Sequence, residues 1–144
     1  MYRTLSLAAA LSVALALPAA ADMIEIEMLN VGSDKERMVF EPAYVRLEPG
    51  DTLKFIAVDK GHNAESVKGM GPEDGETFKG KINEEIEVTF DVEGWYGIQC
   101  KPHYAMGMVM AVEVGDADVP GGFLEGRIPK RAKALFEQAI AQAE

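Results

Sequence analysis

The sequence predicts an all-β fold, a Greek-key sandwich or barrel carrying one helix at its C-terminal end. Three observations predict it. Short runs of alternating apolar and polar residues recur from residue 24 to residue 114, separated by turns rich in Pro and Gly. No long helical pattern interrupts them. A 3.6-residue periodicity begins only at Pro129. Strands that close quickly on one another through tight turns favour antiparallel sandwiches over layered α/β folds.

The elements follow in order. Ile24, Ile26 and Met28 alternate with Glu25, Glu27 and Leu29, the period of a half-buried strand. Residues 30–35 are a turn cluster. Residues 38–43 are expected to be irregular, because Pro42 disfavours a helical residue before it. Residues 44–47 form a second strand, and Pro49-Gly50-Asp51 a tight turn. Residues 52–58 form a third strand with Leu53, Phe55 and Ala57 on one face. Residues 64–81, rich in Gly, Glu and Lys, are expected to be a long loop with at most a helical turn. Ile86, Val88 and Phe90 mark a fourth strand, residues 94–100 a fifth and residues 108–114 a sixth. Residues 116–122 have a linker composition. Beyond them Ala132, Leu135, Phe136, Ala139, Ile140 and Ala143 recur at helical spacing, so a Leu135/Phe136/Ile140 stripe is expected to seat on the sandwich. A membrane-surface helix is the weaker reading, since the stripe is Ala-rich.

The first residues read as a secretory leader. Arg3 precedes an apolar run over residues 5–17, and small residues at 19–21 suit cleavage after Ala21. The run is shorter than the roughly 20 residues that span a bilayer. The expected organisation is therefore a leader over 1–21, a β-domain over 22–115, and a linker with a helical extension over 116–144. A periplasmic location follows. Losing Arg3 takes the net charge from −10 to −11. That excludes non-specific nucleic-acid binding, which needs clustered cations.

The chain has one Cys and two His. A single Cys in an exported protein cannot close an intramolecular disulfide, which favours burial or metal ligation. Cys100 ends one expected strand, His103 lies three residues on, and Met106 and Met108 follow where the chain re-enters the sheet. His62 closes another strand. Each residue alone has an ordinary structural explanation: a core histidine, a small buried thiol, core methionines. Together they supply two imidazoles, a thiolate and a thioether. That set suits copper in a trigonal His2Cys site with a long axial Met, a type used for electron transfer. Zinc sites seldom use Met. Pro102, inside the loop, has no N–H to offer the sulfur.

The residues resemble the cupredoxins, and among them the pseudoazurin family, over nearly the whole chain after the leader. The runs that carry the resemblance are Met38-Val-Phe-Glu-Pro-Ala43, Pro49-Gly-Asp-Thr52, Asp59-Lys-Gly-His-Asn63, Lys81-Ile-Asn-Glu84 and Tyr96-Gly97 through Cys100-Lys-Pro-His-Tyr-Ala-Met-Gly-Met108. The terminal helix is a further shared feature. The resemblance implies an eight-stranded cupredoxin sandwich holding one type 1 copper ion on His62, Cys100, His103 and Met108, with Met106 demoted to packing. It implies that the Asn63 backbone N–H points at the Cys100 sulfur while its side chain ties the two ligand loops. It places Met38 near the His103 ring, and makes His103 the partly exposed electron exit inside a lysine ring of Lys60, Lys79, Lys81 and Lys101. Gln99 stands where the family often has Lys. The implied function is one-electron transfer to a copper nitrite reductase or related denitrification enzyme, with a c-type cytochrome as donor and the carrier a monomer. No enzymatic chemistry is expected. Copper sequestration or delivery is the alternative. A Cys/His/Asn hydrolase is the least favoured reading, because nothing builds an oxyanion hole.

Overall fold

A computed structural model describes residues 20–143. The expected leader therefore falls, but for its last two residues, outside the described residues. Eight strands form two four-stranded sheets. They are β1 (Met23–Val31), β2 (Arg37–Glu41), β3 (Tyr44–Leu47), β4 (Asp51–Ile56), β5 (Glu65–Ser66), β6 (Ile86–Phe90), β7 (Gly94–Gln99) and β8 (Val109–Val114), followed by helix α1 (Lys130–Ala141). One sheet has the order β2-β1-β4-β6 and the other β3-β8-β7-β5. The pairs β1–β4 and β3–β8 are parallel, and the remaining neighbours antiparallel.

The core lies between the sheets. Ile26, Met28, Phe40, Leu53, Phe55 and Phe90 from the first sheet face Leu47, Ile98, Met110, Val112 and Val114 from the second, all at most 1 % exposed. The first sheet has its other face in water, which is why β1, β4 and β6 alternate so legibly. The second sheet is covered twice. Trp95, Val109 and Ala111 face outward into a second apolar cluster with Phe123, Ala132 and Phe136. Strand β8 is consequently buried along its whole length.

Four expectations are corrected. Residues 37–41 form strand β2 instead of an irregular stretch: Pro42 holds its predecessor extended, and an extended Glu41 pairs with Glu27 as readily as it closes a loop. The third strand stops at Ile56, two residues early. Residues 64–81 contain no helical turn, and instead place the two-residue β5 against β7, with a further bridge from Glu65 to Lys79. Pro129 precedes α1 with an extended ψ of 142°, and the buried stripe is Ala132/Phe136/Ala139, with Leu135 and Ile140 at its margins. Small Ala residues on either side of Phe136 let the helix approach the sheet closely.

The stretch before α1 is anchored. Trp95 Nε1 donates to the Ala117 carbonyl at 2.7 Å, and Phe123 packs edge-on to both Trp95 and Phe136. Among the described residues no helix is long and apolar enough to cross a membrane.

Candidate metal centre

Strand β7 ends at Gln99, and the chain then turns through a 3-10 segment, Lys101–Met106, before entering β8. Pro102 sits at the start of that segment, where a missing N–H costs nothing. Gly107 ends it in the left-handed region at φ 89°, a conformation that favours glycine. The loop is then laced shut: Cys100 N–H donates to the Met108 carbonyl at 3.0 Å, and Met108 N–H to the His103 carbonyl at 3.1 Å. This lacing fixes Cys100, His103 and Met108 to one another through backbone alone.

Helix α1 buttresses the same loop from outside. Arg131 Nε donates to the Met106 carbonyl at 3.0 Å, and its guanidinium pairs with Glu36 at 2.7 Å. A β-carbon on Gly107 would lie 2.6 Å from Leu135 Cδ1.

His62 arrives from the segment between β4 and β5. Its Nδ1 lies 3.7 Å from Cys100 Sγ and 3.1 Å from His103 Nδ1, while His103 Nδ1 lies 3.4 Å from the sulfur. All three atoms fall within 4.8 Å of one another. His62, Cys100 and Met108 are fully buried, and His103 is half-buried. His62 Nε2 lies 2.9 Å from Asn30 Oδ1. An amide oxygen only accepts, so Nε2 carries the proton and the Nδ1 lone pair is aimed at the cluster. Burial, with the neighbouring His103 adding to it, pushes the His62 pKa down, against a smaller opposing pull from Asp59. The imidazole therefore resists the proton that would compete with a metal.

Burial pushes the Cys100 thiol up, backbone amides of Asn63 and His103 pull it down, and the Glu65 carboxylate pushes it up again. A metal taking this sulfur must displace its proton. Two nitrogen lone pairs and one sulfur in a buried triangle match a soft ion with a trigonal preference, so the residues present fit copper.

Asn63 spans the two ligand segments. Its Oδ1 accepts from Lys101 N at 2.7 Å, and its Nδ2 donates to the Gly80 carbonyl at 3.0 Å and to Glu65 Oε2 at 3.1 Å. Met38 is partly buried against the main core with φ 56°. Met106 is 44 % exposed. Lys60, Lys79, Lys81 and Lys101 are all exposed. Three of them, Lys79, Lys81 and Lys101, line one shallow depression with Ile82 and Pro102, and Lys60 lies outside it.

Sequence reasoning missed Asn30, Glu65 and Arg131. Asn30 reads as the first residue of a turn, and nothing in its spacing links it to His62. Glu65 is one of the chain's 24 acidic residues until the fold buries it.

Residues 26–115 match the family model described as copper binding proteins, plastocyanin/azurin family. A pseudoazurin of Methylorubrum extorquens is 52 % identical over 118 residues, 81 % of this chain and 79 % of that one. A pseudoazurin of Paracoccus pantotrophus is 44 % identical over 142 residues, 98 % of this chain and 97 % of the relative. The crystal structure of a pseudoazurin from Methylobacterium extorquens superposes with a TM-score of 0.79 at 42 % identity, covering 85 % of this chain and 99 % of that one.

Proposed function

The chain belongs to the plastocyanin/azurin family of copper-binding proteins and, within it, to the pseudoazurins; from that premise we propose that it is a periplasmic carrier donating single electrons to a copper nitrite reductase or a related denitrification enzyme. As a member of that family it is an electron-transfer protein that works with redox partner proteins, and it is not an enzyme. Its cofactor is one type 1 copper ion. That ion supplies a one-electron couple between Cu(II) and Cu(I).

We assign His62 Nδ1, Cys100 Sγ, His103 Nδ1 and the Met108 thioether as its ligands. The observation that carries this reading is the convergence of three donor atoms within 4.8 Å, with the His62 lone pair preset by Asn30. The protein's part is to hold these groups still. Laced loop, Asn63 tether and Arg131 buttress all oppose rearrangement when the charge changes, which keeps the reorganisation small. His103 is the half-buried member of the set and the natural exit for the electron. Lys79, Lys81 and Lys101, exposed around Pro102 of the ligand loop, on a chain of negative net charge form a dipole that steers an acidic partner and makes the on-rate salt-dependent. A c-type cytochrome is the proposed donor, the carrier a monomer, and residues 1–21 its export leader.

The test is a visible and EPR spectrum of the copper-loaded protein before and after Met108→Ala. An intense visible band that changes with the substitution is expected. A colourless protein would overturn the assignment. Slow self-exchange together with very tight Cu(I) binding would favour copper storage or delivery instead.

Pro102→Ala introduces an N–H in the ligand loop. A new donor to the sulfur stabilises the reduced site, so the reduction potential is expected to rise in protein-film voltammetry. An unchanged or lower potential would show that residue 102 does not reach the sulfur.

A further inference from the structure

Below the Asn63 tether sits a carboxylate that the copper reading does not use. Glu65 is 6 % exposed. Its Oε2 accepts from Asn63 Nδ2 at 3.1 Å, and its Oε1 accepts from Gln99 Nε2 at 3.0 Å. Both oxygens therefore meet N–H donors, the pattern an ionised carboxylate satisfies and a carboxylic acid does not. Register enforces the arrangement, since Glu65 of β5 stands opposite Gln99 of β7. Among the described residues no cationic group lies within 4 Å of Glu65. The amides that hold it are neutral and themselves buried, Asn63 at 3 % and Gln99 at 6 % exposure. Gln99 Oε1 has no hydrogen-bond partner among the described residues. Lys79, Lys81 and Lys101 share a depression with Glu65 but form no ion pair with it, and a buried charge bonded only to neutral amides, with one carbonyl oxygen left unsatisfied beside it, is costly and calls for an explanation beyond packing.

The location supplies one. Gln99 immediately precedes Cys100, and Asn63 immediately follows His62, so the carboxylate is clamped by the chain neighbours of two ligands. Low-dielectric surroundings weaken screening, and a fixed charge there acts strongly on any nearby change of charge.

We propose that Glu65 sets the reduction potential: its carboxylate, held beside the Cys100 ligand by Asn63 and Gln99, favours the more positive oxidation state of the bound metal and lowers the potential. This rests on the copper reading above. Glu65 touches no ligand atom and acts through the field and through the residues that hold it.

Three variants of the copper-loaded full chain test it by voltammetry alongside the visible spectrum. Glu65→Gln keeps the shape and removes the charge; its potential is expected to rise with the visible band unmoved. Glu65→Asp keeps the charge and is expected to stay near the parent. Gln99→Lys leaves the carboxylate and brings an ammonium to it, so its potential should also rise; it carries the test if Glu65→Gln does not fold. A potential unchanged or lowered by removing or pairing the charge would overturn the proposal. So would a Glu65→Asp variant that moves as far as Glu65→Gln, or a rise that comes with a displaced band, since either assigns the effect to geometry. A colourless parent would instead overturn the copper reading, an outcome distinct from a blue protein indifferent to residue 65.

Discussion

Cys100→Ser is expected to abolish the intense visible band and to weaken copper binding by more than the roughly 10–100-fold that losing an outer partner of a ligand costs. The thiolate is the charged soft donor of the set, the one whose charge offsets that of the metal. A serine hydroxyl holds its proton far more tightly than a thiol and cannot replace it. The substitution should leave the fold intact. Cys100 is fully buried, but its loop is held by backbone bonds from Cys100 N to Met108 O and from Met108 N to His103 O, which a side-chain change preserves. Absorption spectroscopy and a competition titration against a copper chelator provide the readouts, with near-UV circular dichroism of the metal-free protein as control. A Cys100→Ser variant that kept the band would remove Cys100 from the ligand set.

Asn63→Ala should destabilise the metal-free protein by about 3–5 kcal/mol, at the upper end of single-substitution effects. The magnitude follows from what is left behind. Lys101 N, the Gly80 carbonyl and Glu65 Oε2 each lose a partner. A buried unsatisfied group costs about 1–3 kcal/mol, and a charged one more. One of the lost bonds, from Lys101 N, joins the His62 segment to the Cys100 loop, so copper affinity should fall together with stability. Urea unfolding of the metal-free variant measures the first, and chelator competition the second. A change in stability below about 1 kcal/mol would mean that water replaces the amide in all three places and that the tether is dispensable.

Legibility in the sequence tracked how one-sided each element's environment is. Strands β1, β4 and β6 announced themselves because one face meets the core and the other water. Strand β2 did not, since Pro42 suggested a chain break where the fold uses an extended residue. The two-residue β5 is too short to carry a period, and exists only because Glu65 and Ser66 find partners across in β7. Helix α1 was visible from its spacing, but its stripe was misplaced toward the larger side chains. Large residues draw attention in a helical pattern, whereas close approach to a sheet is permitted by the small ones, Ala132 and Ala139.

The ligand loop was legible because three of its donors lie within nine residues, and local spacing is what a sequence displays directly. By itself the sequence determined an all-β chain with a C-terminal helix and a thiol, two imidazoles and thioethers suited to copper. Tertiary structure alone decided the rest. It brought His62 to 3.7 Å of a sulfur 38 residues away, and set Asn30 behind it to aim the lone pair. It buried Glu65 without a cation and placed Arg131 against the loop from the far end of the chain. These are contacts between segments distant in sequence, created by sheet register and packing of two cores. Such contacts leave no period, spacing or composition in the residues that make them.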